Sequence, residues 1–283
     1  MESFDRELYP VRKRLPASGV AGVVLVTFCW ILNWDLPGLR THLLFFPLWL
    51  GYCLTVDGLV RWRSGSSLAG RDAGGYIRLF FLSAPVWWLF EGLNFFTENW
   101  SYLGRSAFTD WQYFLLSTLC FSTVIPAVFS TAELLETLPV FRDLKLGFRR
   151  RLHRSTYWKL HLAGWVMLAL MLVWPTVFFP FMWLSLFFIL DPINALLGNR
   201  SLIVSIAHGY LRPLVAYGLG ALICGFFWEM WNYHSFPKWI YDIPYLSQPR
   251  IFEMPLAGYG GYIPFGWELY AVYQLVSNLG RKS

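Results

Sequence analysis

The chain has 283 residues, of which 56% are apolar, 20% aromatic and only 14% charged, with a formal charge of +6. So much apolar sequence excludes a water-soluble two-domain protein of this length and points to a polytopic membrane protein. The positive charge does not indicate nucleic acid, because the basic residues cluster between apolar runs, where membrane topology accounts for them.

Arg6, Arg12, Lys13 and Arg14 precede the apolar run 17–34. This is the layout of a secretory signal, but no small-residue cleavage site follows and further spans do, so a retained first helix is expected. Segments long enough to cross a hydrocarbon core of ~30 Å are 17–34, 41–62, 75–97, 110–138, 159–175, 176–197, 208–233 and 250–279. The fifth and sixth are divided only at Trp174-Pro175, where proline disfavours helix in the residue before it. The expected fold is an all-α polytopic membrane bundle of about eight helices. Basic residues gather in the N-terminal arm, in 61–78 (Arg61, Arg63, Arg71, Arg78), in 142–159 (Arg142, Lys145, Arg149, Arg150, Arg151, Arg154, Lys159) and in the tail (Arg281, Lys282). In an eight-helix chain all of these lie on one side. Both termini are therefore expected to face the cytoplasm, with a bacterial cytoplasmic membrane as the setting. The 142–159 connection reads as a positive-inside anchor that also meets anionic lipid.

The chain also repeats itself. Residue numbers 229 minus 91, 232 minus 94, 252 minus 114 and 264 minus 126 all give 138, matching Glu, Asn, Phe and Pro in turn. Trp100-Ser101-Tyr102 and Trp239-Ile240-Tyr241 follow one position out of step. Upstream the offset is 134, pairing Trp49 with Trp183, Asp57 with Asp191, Ser67-Leu68 with Ser201-Leu202, Gly75-Tyr76 with Gly209-Tyr210, and Arg78 with Arg212. An internal duplication is expected: two four-helix repeats of the same topology, 1–141 and 159–283, joined by the basic connection 142–158.

The four cysteines lie inside apolar runs without metal-ligand spacing and read as buried thiols. Asp57 and Asp191, with Arg78 and Arg212, are expected to form ion pairs that offset their desolvation. Pro126 and Pro264 should kink their helices, each leaving a carbonyl free for a partner or ligand.

Polar groups concentrate in the stretch 226–268, where Glu229, Asn232, His234, Asp242, Glu253 and Glu268 stand among aromatic residues. Glu-x-x-Asn places both side chains on one helical face, at Glu91/Asn94 and again at Glu229/Asn232. Each pair is either a hydrogen-bonded clamp between helices or part of a ligand site. The halves are chemically unequal: His208, His234, Glu253 and Glu268 stand where the first half has Gly74, Phe96, Leu115 and Ser130. Any chemistry is therefore expected in the second half. No phosphate loop, nucleophile elbow, His-Glu-x-x-His or metal-spaced cysteine pair is present, and a Glu229/His234/Glu253 metal site is not required by the spacing. A carboxyl group in an aromatic setting can be held in its acid form and serve as a general acid. The faces of Trp228, Trp231, Tyr233, Trp239 and Tyr241 can stabilise positive charge by roughly 0.5–2 kcal/mol each. Acid plus aromatic lining suits protonation of an olefin and passage of a carbocation.

An acidic residue in a helix, a Trp-x-Tyr in the next loop, then an apolar residue and a Pro-Leu opening the next helix resembles the layout of integral-membrane carotenoid cyclases and hydratases. The matching residues are Glu229, Trp239, Tyr241, Ile251 and Pro255-Leu256, over about forty residues. The cyclases carry a paired Glu after the proline; here Glu253 precedes it. The resemblance implies a lipid- or isoprenoid-facing enzyme; in such an enzyme the buried carboxyl groups Glu229 and Glu253 are the candidate acid or base. Asn232 and His234 would orient the substrate, while Trp228, Trp239 and Tyr241, together with Glu91 and Asn94, would shape the site. Two other readings stay open, a transporter with a site at the repeat interface and a non-catalytic membrane scaffold. Membrane lipids and a lipophilic substrate are the expected partners; cofactor, metal and oligomeric state are left open.

Overall fold

The computed structural model describes residues 14–141 and 143–279. Arg6, Arg12 and Lys13 of the N-terminal arm, Arg142 of the connection, and Arg281 and Lys282 of the tail lie outside the described residues.

Helices dominate. In chain order they are α1 (Ala17–Asp35), α2 (Thr41–Ser64), the short α3 (Leu68–Arg71) and α4 (Ala73–Thr97). After strand β1 (Trp100–Leu103) come α5 (Asp110–Phe121), α6 (Val124–Glu136), α7 (Arg154–Val173) and the short α8 (Pro175–Phe178). Then follow α9 (Ser185–Leu197), the short α10 (Leu202–Ala207) and α11 (Arg212–Tyr233). Strands β2 (Lys238–Tyr241), β3 (Arg250–Ile251) and β4 (Met254–Pro255) precede α12 (Tyr262–Leu279). Among the described residues seven helical segments are long and apolar enough to cross a membrane: α1, α2, α4, α5 with α6, α7, α8 through α9, and α11. The protein is a multi-pass helical membrane protein. The eighth expected segment, 250–279, is helical only from Tyr262 onward; its first part folds as the β3–β4 hairpin and a 3-10 turn over Leu256–Gly261. Pro264 consequently falls in the first turn of α12, where its missing N–H costs no intrahelical bond, and kinks nothing.

Local chemistry explains the helix breaks. Trp174 leaves the helical region (φ −131°, ψ 66°) ahead of Pro175, which opens α8. Pro126 separates α5 from α6 four residues upstream, where its ring would meet the Ser122 carbonyl. The carbonyl exposed by this break is not left for a ligand. Ser83 Oγ of α4 donates to Phe121 O at 2.6 Å and accepts from Ile125 N at 3.0 Å, replacing the lost helical bond with a side-chain bridge. Ser83→Ala is expected to lower stability by about 1–2 kcal/mol, read as an earlier unfolding midpoint of purified protein in mixed micelles.

The helices pack by small residues and interlocked rings. A Cβ on Gly22 would lie 2.5 Å from Thr55 N, so only glycine lets α1 approach α2 this closely. The deepest side chains are Trp49, Trp231, Phe90, Phe265, Ile125, Met171 and Met182, drawn from both halves of the chain. α7 rests mainly on α9 and turns Trp158, Leu162, Trp165 and Val173 outward, as a lipid-facing helix does. The four cysteines are free thiols, three of them buried.

The expected Asp–Arg ion pairs are not formed. Arg78 pairs with Asp72 (3.2 Å), and Arg212 reaches Glu136 through its carboxylate (3.3 Å) and its carbonyl (3.0 Å). Asp57 instead accepts from Ser67 Oγ (2.9 Å) and Ala69 N (3.0 Å). Asp191 accepts from Ser201 Oγ (2.6 Å), Leu202 N (3.0 Å) and Ile203 N (2.8 Å). Both aspartates satisfy the free N–H groups that open a short helix, which compensates burial without a cation. The basic connection is also pinned: Leu146 N, Arg150 N and Leu211 N bond across to Gly209, Ala207 and Leu144 carbonyls. Gly209, at φ +78° and with no room for a Cβ beside Leu146 O, is required there.

Candidate functional site

Two carboxyl groups and the strand pair between them form the site. Glu91 and Asn94 stand one turn apart near the end of α4, and Glu229 and Asn232 near the end of α11. Each asparagine binds the backbone of a tryptophan on both its edges. Asn94 Nδ2 donates to Trp100 O (2.8 Å) and its Oδ1 accepts from Trp100 N (3.2 Å). Asn232 does the same with Trp239 O (2.7 Å) and Trp239 N (2.9 Å). The amide thus acts as a strand partner, and each strand is fastened to the helix that precedes it. β1 and β2 then pair antiparallel, with Trp100 opposite Tyr241 and Tyr102 opposite Trp239.

From the strands the side chains return to the carboxyl groups. Glu91 Oε1 accepts from Trp87 Nε1 (2.9 Å), Trp100 Nε1 (3.2 Å) and Tyr102 OH (2.5 Å). Glu229 Oε1 accepts from Trp239 Nε1 (3.4 Å), Tyr241 OH (2.7 Å) and Tyr262 OH (2.6 Å). In both clusters one oxygen gathers three donors. Glu229 is completely buried, and its Oε2 has no hydrogen-bond partner among the described residues. Burial first, and the Glu229 carboxyl second, push the Tyr241 phenol well above its ordinary value; burial and Glu91 do the same to Tyr102. Both strand phenols therefore remain proton-bearing donors.

A cavity of about 160 Å³ lies between the clusters. Trp87, Trp100 and Tyr102 line it on the Glu91 side, and Trp239, Tyr241 and Tyr262 on the Glu229 side. Trp183, Trp228, Phe45 and Cys120 add to an almost wholly apolar wall, with His42 and Lys238 as its basic residues. Every donor to the two carboxyl groups is thus also a wall of the cavity, with the carboxylates held behind the rings. Tyr241 and Tyr262 are the two hydroxyl-bearing links between the cavity and Glu229.

Of the residues expected at the site, Trp228, Trp239 and Tyr241 line the cavity directly, and Glu91 and Glu229 back it. Asn94 and Asn232 are occupied by the strands and do not line it, so they position the tryptophans and have no polar atom aimed at a ligand. Glu253 is paired with Lys238, its near neighbour across the β2–β4 corner, and does not line the cavity. His234 is exposed at the end of α11, its ring against Trp34 (4.9 Å) and Tyr233 (4.8 Å) and its carbonyl accepting from Arg40. Glu229, His234 and Glu253 do not converge, and no group of three His, Cys, Asp or Glu placed to hold a metal occurs among the described residues. Glu268 is buried elsewhere, accepting from Leu186 N (3.1 Å).

Three site residues carry no sequence signal. Tyr262 stands at the start of α12 with nothing to distinguish it from other interfacial tyrosines. Trp87 is one turn before Glu91 in an aromatic run. His42 is a lone histidine in the first turn of α2, yet its ring faces the cavity edge-on to Phe108 (5.4 Å), and its buried Nδ1 has no partner among the described residues. Compared with protein-family models, curated proteins and solved structures, the chain matches none of them.

Proposed function

We propose that the aromatic cavity is the working site of a membrane-embedded enzyme acting on a lipophilic molecule, with Glu229 as acid or base and an isoprenoid or related olefinic lipid as the substrate class. One observation carries this reading: a fully buried carboxyl group gathers two phenols on one oxygen, and both phenols face an apolar, indole-lined space. Tyr241 and Tyr262 relay the proton, while Trp100, Trp228 and Trp239 present ring faces to positive charge developing on the substrate. A proton from the Glu229–phenol cluster would add to the olefin, and the same cluster would accept one when the cation collapses.

The matched hydrogen-bond sets of Glu91/Asn94 and Glu229/Asn232, and of Asp57/Ser67 and Asp191/Ser201, support two repeats of the same topology joined by 142–158. The described basic residues at the end opposite the β1–β2 pair support a cytoplasmic placement for that end, with the cavity toward the outer face. Two matched carboxyl clusters flanking one cavity also favour a second reading, a transporter whose substrate sits between the repeats.

Mass spectrometry of lipid extracts from cells with and without the protein decides between them, alongside Glu229→Gln. Glutamine keeps an oxygen for the three donors, so the fold should stand. The enzyme reading expects a lipid species whose mass changes with the wild type, and at least about 100-fold less of it with the variant. No changed species, with solute flux in reconstituted vesicles that Glu91→Gln and Glu229→Gln both abolish, would establish the transporter instead.

A further inference from the structure

A second cavity lies at the other end of the bundle, sharing no residue with the first. It occupies about 350 Å³ between α3, α4, α6, α11 and α12, with Leu79 and Phe129 among its apolar walls. Its charged residues are mostly held in ion pairs. Arg71 is 2.6 Å from Glu133, Arg212 meets Glu136, and Arg78 meets Asp72. Arg200, on the loop between α9 and α10, lines the cavity and forms no ion pair among the described residues. Tyr217, Tyr270, Tyr273 and Gln274 also line it, with side chains that carry three hydroxyls and an amide. None of them makes a hydrogen bond to protein among the described residues, although Tyr270 is only 6% exposed and Gln274 only 7%. Four neutral polar side chains with no protein partner, set around one space beside an uncommitted arginine, make a lining suited to a polar occupant that bonds to them.

We infer that this cavity binds a hydroxylated headgroup carrying a single phosphate, of the phosphoglycerol type. Arg200, the uncommitted cation of the lining, meets the phosphate, and the three phenols and Gln274 exchange hydrogen bonds with the hydroxyls. The alternatives fit less well. An amine needs an uncommitted carboxylate, and Asp72, Glu133 and Glu136 are each paired with arginine. A more highly charged anion meets those same three carboxylates at close range. The cavity also opens at the end of the bundle where Arg61, Arg63, Arg149, Arg150 and Arg151 lie, the end suited to anionic lipid. An anionic lipid and a soluble glycerol phosphate share this headgroup chemistry.

Native mass spectrometry of the delipidated, purified full chain tests the inference, with phosphatidylglycerol, phosphatidylcholine and glycerol 3-phosphate as probes. Phosphatidylglycerol should be retained over phosphatidylcholine by roughly ten-fold. Arg200→Ala, on an exposed loop, should reduce its retention about ten-fold, and so should Tyr270→Phe combined with Gln274→Leu. Displacement by glycerol 3-phosphate at equal concentration would support the site and assign it to a soluble ester; failure to displace would support it and assign it to the lipid. Equal retention of the two lipids, or a preference that survives both variants in protein of unchanged circular dichroism, would overturn it.

Discussion

Asp191→Ala should be the most damaging single truncation of a polar side chain in this protein, lowering stability by about 3 kcal/mol or more. Asp191 is fully buried and receives three donors, two of them backbone N–H groups at the start of α10. Alanine leaves all three unpaired in a place that water does not reach, at roughly 1–3 kcal/mol per unmade bond. Asp191→Asn keeps one acceptor oxygen and should fall between. Asp57→Ala removes two donors' partner at a slightly more accessible position and should cost less. Unfolding in mixed micelles, followed by circular dichroism, gives the order. An ion pair with Arg212 would instead make Arg212→Ala as costly as Asp191→Ala. The structure joins Arg212 to Glu136, so the two variants should differ clearly, and equal losses would refute this account of the aspartate.

The legible and illegible parts of this chain divide along the range of the interactions. Spans such as α1, α2 and α4 follow from local apolar length, and the α7–α8 break follows from one proline acting on its neighbour. α3 and α10 are not foreseeable as helices, because four and six residues are too few to show a period. Their aspartate caps come from ten or more residues upstream, and the nearest arginine at the matched offset is a more obvious partner on charge alone. The Glu-x-x-Asn spacing correctly places two side chains on one face. It does not reveal that the asparagine turns to a strand six or seven residues later, nor that the two strands, far apart in sequence, pair with each other. Glu253 shows the same limit: in sequence it is an acid in an aromatic stretch, and only the β2–β4 corner brings Lys238 onto it. The carboxyl clusters are half visible, through Glu229, Trp239 and Tyr241, while Tyr262 reaches Glu229 from another helix and has no pattern of its own.

Gly225→Ala should disable the Glu229 cluster, and Tyr262→Val should rescue its folding. A Cβ at Gly225 would stand 2.3–2.6 Å from the Cδ2, Cε2 and Cγ atoms of the Tyr262 ring. These are not the free end of a flexible chain, and Tyr262 is 8% exposed, so the ring must leave its place and with it the 2.6 Å bond to Glu229. Overpacking of this kind costs about 2 kcal/mol. The offset of 138 sets Gly225 against Trp87 and Tyr262 against Val124. In the first cluster the third donor comes from a tryptophan on the glutamate's own helix, with valine across from it; in the second, glycine on the helix makes room for a tyrosine from α12. The two positions have exchanged which one is large. Tyr262→Val removes the ring that the added methyl group strikes, so the double variant should regain most of the stability lost by Gly225→Ala, with a coupling of about 1–2 kcal/mol in a double-mutant cycle. If the proposed enzyme reading holds, it should not regain turnover, because the phenol is gone, and Tyr262→Phe, which keeps the ring and loses only the hydroxyl, should fold and also fail to turn over. Additive losses from Gly225→Ala and Tyr262→Val would show that the glycine serves some contact other than this ring.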